Sequence, residues 1–172
     1  MKPRTVQSHK LFEKNSELTE GSPIVIAYQI KTPENIGNII RLADNAGCQK
    51  VIIVTDEENI RTSKIRKTAG LSFDSMPWEI CSISGLFNKI PAGYKIVSLE
   101  TSSDSENIFS STLPDKIAII VGNEIVGINN EVLNKSDFII HIPLFGHNTS
   151  MNVSHALAVA LFEWQRQQIA KK

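Results

Sequence analysis

Six short apolar runs, several of them almost entirely β-branched, constrain what this chain can fold into more than any other feature. Runs such as IVIA, VIIV and IAIIV have no polar interruption, which is typical of parallel-sheet strands that are buried on both faces. The six predicted strands lie at residues 24–30, 51–55, 76–81, 95–101, 116–122 and 137–143.

The segments between these runs have the periodicity of amphipathic helices. In the first, Thr32 is predicted to be the N-cap residue, with Pro33 at the first helical position and Gly47 just past the end. Its apolar stripe consists of Ile36, Ile39, Ile40 and Ala43. Further helices are predicted at residues 60–68, 84–89, 129–135 and 152–168. This alternation predicts an α/β fold with a mostly parallel sheet flanked by helices.

The composition favours one globular domain without an obvious partner. Its 172 residues are expected to form a polar tail at residues 1–22, with a short helix at 6–15, and one domain at 23–172. The 18 basic and 18 acidic residues cancel, so the net charge does not indicate a nucleic-acid partner. The aromatic content of 6% does not favour a stacking surface for single strands.

Targeting signals and metal-ligand patterns are not found in the sequence. No segment has the apolar core of a signal peptide, or the roughly 18 apolar residues that a membrane span needs. Cys48 and Cys81 are too few for a disulfide framework and have no metal-ligand spacing. We therefore expect a cytoplasmic protein with reduced thiols, and neither a membrane nor a metal partner.

The first segment with candidate functional residues is the helix at residues 33–47. Opposite its isoleucines, Asn38, Arg41 and Asn45 form a polar stripe, and Gly37 permits the close approach of another backbone or a ligand. The guanidinium of Arg41 presents several donors at once, which suits a phosphate or another oxyanion. The alternative is an arginine on a solvated helix face.

The second segment, at residues 117–128, is a buried strand that ends at Gly122, followed by Glu124 and Gly127. The Lys-Ser/Thr pair of a phosphate loop does not follow Gly127, and the chain has no GxGxxG turn after its first strand. These two nucleotide-binding patterns are therefore excluded. Gly122 permits the close approach of a flat ligand such as adenine, or else the two glycines only form a tight turn.

The third segment, at residues 143–163, is a polar loop that leads from a strand end into the last helix. Ligands of open α/β sheets usually bind at such a position. Ser150 and Asn152 lie at the helix start, where they can cap backbone donors or contact a ligand. His147 and His155 have no metal-ligand spacing, and Ser150 has no evident partners for a hydrolase triad.

Taken in order, the three segments resemble the three motifs of the SpoU/TrmH family of RNA ribose methyltransferases, within the SPOUT superfamily. The matching residues are Asn35-Ile36-Gly37-Asn38-Ile39-Ile40-Arg41, then Val121-Gly122-Asn123-Glu124 with Gly127-Ile128, then Ile142-Pro143-Leu144 and Ser150-Met151-Asn152-Val153-Ser154. The resemblance covers residues 24–166.

The resemblance implies a fold and a site that periodicity cannot predict. It implies a deep trefoil knot in the C-terminal third that binds S-adenosylmethionine, and a homodimer. The implied cofactor-binding residues are Thr101, Gly122, Ile142, Leu144, Ser150 and Met151. The implied catalytic residue is Arg41, with Asn35, Glu124 and Asn152 organising the site around it.

The predicted activity is methyl transfer from S-adenosylmethionine to a ribose 2′-hydroxyl of RNA, with tRNA favoured over rRNA. The candidate RNA-contacting residues are Asn38, Arg61, Lys64, Arg66 and Lys67, together with Lys2, Arg4, Lys10, Lys171 and Lys172 near the termini. One alternative is a non-catalytic RNA-binding or ribosome-associated module that retains the fold. The other is a flavodoxin-like small-molecule binder, which is disfavoured because the polar loops match no flavin or dinucleotide pattern.

The last helix is expected to form the dimer interface, because it carries more apolar surface than one core contact requires. The alternative is a helix buried only within its own domain. The stripe expected to face the core consists of Val153, Leu157, Ala160, Leu161 and Trp164, whereas Val159 and Phe162 face elsewhere.

Overall fold

Seven parallel strands form one sheet in the computed structural model, which describes residue 5 and residues 21–171. The strands are β1 Ile24–Tyr28, β2 Lys50–Val54, β3 Trp78–Cys81, β4 Lys95–Leu99, β5 Glu106–Asn107, β6 Ile117–Val121 and β7 Phe138–His141. Their order in the sheet is β3-β2-β1-β6-β4-β7-β5, and every pairing is parallel. The predicted parallel sheet is confirmed, with each predicted strand bound within two residues of the observed one. The short edge strand β5 was not predicted.

Within the described part of the chain, five α-helices and one 3₁₀ helix flank the sheet. The α-helices are α1 Pro33–Asn45, α2 Thr62–Ala69, α3 Ser72–Ser75, α4 Asn130–Leu133 and α5 Val153–Ala170, and the 3₁₀ helix is Ile83–Lys89. The helix predicted at residues 84–89 is therefore of the tighter 3₁₀ type, and α3 was not predicted. The helix predicted at residues 6–15 lies outside the described residues. Within residues 21–171, no helix is long and apolar enough to cross a membrane.

The central strands β1 and β6 are buried along their whole length. Because successive side chains of a strand point to opposite faces, they contribute to two separate apolar clusters. Val25 and Ile119 face the side covered by α1 and α5. Ile26 and Ile120 face the side covered by α4 and the 3₁₀ helix. Burial on both faces explains the uninterrupted β-branched runs.

Helix α1 begins and ends where its sequence predicts. Pro33 occupies its first turn, and Gly47 follows its end with a φ of 64°, a left-handed conformation that favours glycine. Gly37 allows the close approach of α2: a Cβ at this position would lie 2.7 Å from both Ile65 O and Thr68 Cβ. The neighbour of Gly37 is therefore another backbone.

Helix α5 packs on the sheet and is also hydrogen-bonded to the segment that precedes β6. Leu157, Ala160, Leu161 and Trp164 of its predicted apolar stripe are buried, and Val153 is partly buried. Trp164 Nε1 donates to Pro114 O at 2.9 Å, and Gln167 Nε2 donates to Ser111 O at 3.0 Å. Phe162 remains 49% exposed.

Candidate functional site

A cleft of about 460 Å³ opens at the carboxyl ends of β4, β6 and β7. Its lining comes from four segments, at residues 99–101, 121–127, 141–144 and 149–156. The volume is in the range of small-molecule sites, and the carboxyl ends of parallel strands are where ligands of α/β sheets bind. The cleft therefore suits a ligand of cofactor size.

The structure brings the six predicted cofactor-binding residues together, since all of them line this cleft. They are Thr101, Gly122, Ile142, Leu144, Ser150 and Met151. The side chains of Leu144 and Met151 are each 40% exposed. The cleft thus presents solvent-exposed apolar surface that a bound ligand would cover.

Of the two interpretations of Gly122, the surroundings of this residue support the tight turn and not the close approach of a flat ligand. A Cβ at this position would lie 2.6 Å from Gly127 C and 2.7 Å from Ile128 N. The missing side chain therefore accommodates the turn of the chain itself, and no room for a flat ligand follows from it. Gly127, at a φ of 67°, adopts the left-handed conformation that this turn requires.

Glu100 is part of the cleft and was missed by sequence analysis. Ile128 N donates to Glu100 Oε2 at 2.8 Å, and Thr101 N donates to Glu100 Oε1 at 3.0 Å. Glu100 thereby joins the loop after β4 to the loop after β6. The signal that could have found it is an acidic residue directly after an apolar strand.

The carboxylate of Glu124 contacts the start of α1 from a distant part of the chain. It accepts hydrogen bonds from Lys31 N at 3.1 Å, Thr32 N at 3.3 Å and Asn35 Nδ2 at 2.8 Å. Thr32 is the N-cap residue, as predicted, but its side chain makes no capping hydrogen bond. Glu124 does not take over that bond, since the N–H groups it accepts from belong to the two residues before Pro33. Its negative charge is nevertheless favourable beside a helix start.

The pKa of Glu124 lies below its ordinary value. Partial burial acts to raise this pKa, but the hydrogen bonds from Asn35 and from backbone N–H groups, including that of Lys31, outweigh the burial. Glu124 is therefore ionised at neutral pH. Its carboxylate acts as a hydrogen-bond acceptor and not as a proton donor.

The same network continues through Asn35 to the start of α5. Asn152 Nδ2 donates to Asn35 Oδ1 at 3.1 Å, and Asn152 Oδ1 accepts from Ser154 N at 2.9 Å. Because a carboxylate only accepts, Glu124 determines the orientation of both amides. Asn152, and not Ser150, caps α5 with its side chain. The predicted residues Asn35, Glu124 and Asn152 are thus directly connected.

Arg41 is not part of this network. It is exposed on α1, does not line the cleft, and has no side-chain hydrogen bond or ion pair among the described residues. Its guanidinium is therefore available to an external anion, and the same exposure also fits the alternative of an arginine on a solvated helix face. Its position outside the cleft of its own chain was not expected.

Two of the four predicted RNA-contacting basic residues of the α2 region are already paired within the protein. Arg66 NH1 lies 2.6 Å from Asp74 Oδ2 and its guanidinium lies 4.1 Å from the centre of the Phe73 ring. Lys64 pairs with Glu34 at 3.6 Å. Their predicted role is weakened, because binding RNA phosphates would compete with these contacts.

Arg61, Lys67 and Asn38 are exposed and have no side-chain hydrogen bond or ion pair within the described part of the chain. At the C-terminus, Lys171 pairs with Asp115 at 2.5 Å. The other predicted terminal contacts, Lys2, Arg4, Lys10 and Lys172, lie outside the described residues.

The remaining titratable groups considered from the sequence do not form a site. His147 and His155 are exposed and do not line the cleft. Burial raises the pKa of the Cys48 thiol to about 12, which disfavours the reactive thiolate. Among the described residues, no cluster of three or more histidine, cysteine or acidic side chains could hold a metal ion.

These features define the chain as a parallel α/β protein whose ligand cleft is built from loops at the carboxyl ends of its central strands. Similar proteins identify it more closely. The chain belongs to the SpoU rRNA Methylase family, whose model matches residues 22–162.

Named relatives and solved structures agree with this family. The 23S rRNA (guanosine-2′-O-)-methyltransferase RlmB of Pseudomonas putida is 28% identical over 99% of this chain and 69% of that protein. The SpoU methyltransferase AviRb of Streptomyces viridochromogenes, solved in complex with AdoMet, superposes with a TM-score of 0.78 at 24% identity. The superposition covers 88% of this chain and 59% of AviRb. The TrmH/SpoU tRNA modifying enzyme of A. aeolicus is 27% identical, with a TM-score of 0.75 over 95% of this chain and 85% of that one.

The chain spans only part of most of these proteins. It covers 69% of the RlmB of Pseudomonas putida and 55% of the RlmB of Blochmanniella floridana. The match therefore concerns the domain that contains the cleft and its hydrogen-bonded network.

Proposed function

We propose that this chain transfers a methyl group from S-adenosylmethionine to a ribose 2′-hydroxyl of RNA. The observation that carries the proposal is the hydrogen-bonded chain Glu124–Asn35–Asn152, which connects all three motif segments beside the cleft. Membership of the SpoU family supports it, and so do a curated relative named as a 2′-O-methyltransferase and a neighbour solved with AdoMet.

The cleft fits the cofactor in size and in chemistry. Its lining includes Thr101 and Ser150, which carry hydroxyl groups, Gly122, and the apolar residues Ile142, Leu144 and Met151. This mixture of apolar surface and a few polar groups is usual for cofactor sites. We assign these six residues to cofactor binding. When bound, S-adenosylmethionine supplies a methyl group that its sulfonium has already activated for transfer.

The protein must then position the ribose and stabilise charge on its 2′-oxygen. A 2′-hydroxyl is a weak acid, so a fixed positive group near the developing oxyanion lowers the barrier. The unpaired guanidinium of Arg41 is suited to this task, and it can hold an adjacent phosphate at the same time. Because a guanidinium does not lose its proton in proteins, Arg41 acts here as a cation.

Asn35, Glu124 and Asn152 are assigned a positioning role. They join the start of α1 to the start of α5 and to the loop after β6. Arg41 lies on α1, and Met151 and Ser150 directly precede α5. The network therefore holds the element that carries the arginine against the elements that line the cleft.

A homodimer through α5 is the proposed functional form. Phe162 and Ile169 on this helix are 49% and 62% exposed, whereas its residues Leu157, Leu161 and Trp164 are buried. Arg41 does not line the cleft of its own chain, so a second copy can bring its Arg41 to this cleft. The proposed dimer would thus complete the site as well as cover apolar surface.

We also propose the C-terminal trefoil knot that the resemblance to this family implies. Its support is that the loops after β4, β6 and β7 converge on the cleft, while α5 is tied to Ser111 and Pro114 before β6. Pulling the unfolded chain by its two ends tests the knot. A knotted chain stops short of the extended length of about 3.3–3.6 Å per residue, whereas a chain that reaches this length would exclude the knot.

The proposed substrate is RNA, without the earlier preference for tRNA. The curated relatives are named as 23S rRNA enzymes, so they do not support that preference. The A. aeolicus protein, of which this chain spans 85%, is titled a tRNA modifying enzyme. Both RNA classes are therefore included in the experiment.

The test is incubation of the protein with S-adenosylmethionine labelled in its methyl group and with purified unmodified rRNA or tRNA. We expect label in one of the two RNAs, and no label with Arg41→Ala, which retains cofactor binding. Arg41→Lys is the matched control, because it keeps the charge but not the fork-shaped donor array, and we expect partial activity. Cofactor binding without transfer to either RNA would favour the non-catalytic module, and near-normal turnover by Arg41→Ala would contradict the role of Arg41.

A further inference from the structure

His141, at the end of β7, lines the cleft but was not singled out from the sequence. It is partly buried, and its backbone pairs with Asn107 of β5. Its ring contacts the loop between β4 and β5, where His141 Nδ1 lies 3.0 Å from Ser105 Oγ. This contact joins the cleft segment at residues 141–144 to the loop that continues from the cleft segment at residues 99–101.

The hydrogen bonds of Ser105 determine which of the two groups donates. A hydroxyl carries one proton, and Ser105 Oγ donates it to Ser102 O at 2.6 Å. The same oxygen accepts from Ser102 N at 3.1 Å. The bond with His141 must therefore be donated by Nδ1–H, with Ser105 Oγ as the acceptor.

The neutral imidazole then has a fixed tautomer. With the proton on Nδ1, the other ring nitrogen, Nε2, keeps its lone pair and can only accept. Nε2 makes no hydrogen bond among the described residues, and it is not a buried atom. Because His141 is one of the residues that line the cleft, this leaves an unpaired acceptor on a cleft residue.

We propose that His141 contacts the ligand of this cleft, with Ser105 holding it as the Nδ1–H tautomer so that Nε2 accepts a hydrogen bond from an N–H or O–H group of the cofactor. The inference rests on the proposed function for the identity of the ligand. The tautomer itself rests only on the contacts of Ser105.

Two substitutions of His141 test the roles of its two ring nitrogens separately, Nδ1 as a donor and Nε2 as an acceptor. In His141→Asn the side-chain amide can still donate from a position near Nδ1, but no acceptor reaches the position of Nε2. In His141→Gln the longer side chain can place its oxygen near Nε2, while the donor to Ser105 is lost. His155→Asn is the matched control, because His155 is exposed and does not line the cleft.

The measurement is the affinity of each variant for S-adenosylhomocysteine, the stable product of methyl transfer, by isothermal titration calorimetry. We expect His141→Asn to bind about threefold to tenfold more weakly than the unsubstituted protein, as the loss of one hydrogen bond predicts. We expect a smaller loss for His141→Gln, and no change for His155→Asn. Thermal unfolding of all variants shows whether they are folded.

A second measurement reads the tautomer without any ligand. The ¹⁵N resonances of His141 distinguish a protonated ring nitrogen from one with a lone pair, and we expect the proton on Nδ1 in the free protein. A proton on Nε2, equal binding by His141→Asn and the unsubstituted protein, or equal losses in the two His141 variants would overturn this inference alone. Failure of the unsubstituted protein to bind S-adenosylhomocysteine would overturn the proposed function and this inference together.

Discussion

Asn35 makes hydrogen bonds in both directions, and it is the residue on which the site network depends. It is buried, donates to Glu124 and accepts from Asn152. No other side chain of similar size can replace it, because the Glu124 carboxylate needs a donor and the Asn152 amide needs an acceptor. An aspartate would have nearly the same shape but would face the Glu124 carboxylate with a second negative charge.

Asn35→Asp is expected to lower the free energy of unfolding by about 2 kcal/mol at pH 7, through a lost donor and like-charge repulsion. Two adjacent carboxylates raise the pKa of the pair in the folded state. The loss of unfolding free energy is therefore small below the pKa that these carboxyls have in the unfolded chain. It grows as the pH rises through their raised pKa in the folded protein. Urea unfolding at pH 4 and pH 7 measures it. The matched control is Asn38→Asp, which is exposed on the same helix, and an equal loss at both pH values would contradict the argument.

In the unsubstituted protein, the contribution of Glu124 to stability has the opposite pH dependence to the effect expected for Asn35→Asp. Its folded pKa is lowered, so its contribution to stability is present above the unfolded pKa and is lost as the pH falls through the folded pKa. Glu124→Gln is expected to remove this contribution and to flatten the acid limb of the stability curve. Chemical denaturation between pH 3 and pH 6 checks this result, and an unchanged acid limb would argue against this contribution of Glu124.

Helices α1 and α2 approach each other closely at Gly37. Gly37→Ala is expected to destabilise the protein by about 1–3 kcal/mol, since the new Cβ would lie 2.7 Å from Ile65 O and the two helices would have to separate. The urea midpoint is the measurement. Gly146→Ala is the control, because nothing lies within 4 Å of its Cβ position and we expect a change within about 0.5 kcal/mol.

Helix α5 holds the segment before β6 through Gln167. Its amide accepts from Leu113 N at 2.8 Å and donates to Ser111 O and to Glu163 Oε1. Gln167→Ala is expected to cost about 1–3 kcal/mol, because it leaves these groups without a partner. Gln168→Ala is the control, since Gln168 Nε2 is buried and has no hydrogen bond among the described residues. Equal costs in urea unfolding would contradict a specific role of Gln167.

The sheet could be predicted from the sequence because burial on both faces leaves uninterrupted apolar runs such as that of β6. The edge strand β5 could not, since Glu106 and Asn107 carry no apolar signal. The strand order could not be predicted either, because local periodicity does not indicate that β6 lies between β1 and β4. Strand and helix existence follow from local pattern, whereas pairing depends on contacts between distant segments.

The candidate site likewise has features that the sequence predicts and features that depend on contacts between distant segments. Motif resemblance predicted that Thr101, Gly122 and Ser150 would lie together, and they do. It did not predict that Glu124 contacts the start of a helix that begins more than 90 residues earlier in the chain, nor that Arg41 lies outside the cleft. Both are properties of the packed molecule, and neither has a local sequence signal.

A site shared between two copies of the chain has a direct consequence for mixed dimers. Arg41→Ala, and Leu144→Trp, whose larger side chain would fill the cleft, are each expected to be inactive alone. If Arg41 acts at the cleft of the second copy, mixing the two variants regenerates one intact site in each mixed dimer. Methyl transfer by the mixture, at about one quarter of normal after random exchange of subunits between dimers, checks this expectation. An inactive mixture of exchanged dimers would contradict it.

The proposed activity is methylation of the ribose of RNA with S-adenosylmethionine. Its most direct test is mass spectrometry of nucleosides from unmodified rRNA and tRNA that have been incubated with the protein and the cofactor. We predict one nucleoside that gains a methyl group on its ribose, in the presence of the unsubstituted protein and not of Arg41→Ala. A methyl group on a base, or no methylated nucleoside in either RNA, would contradict the claim.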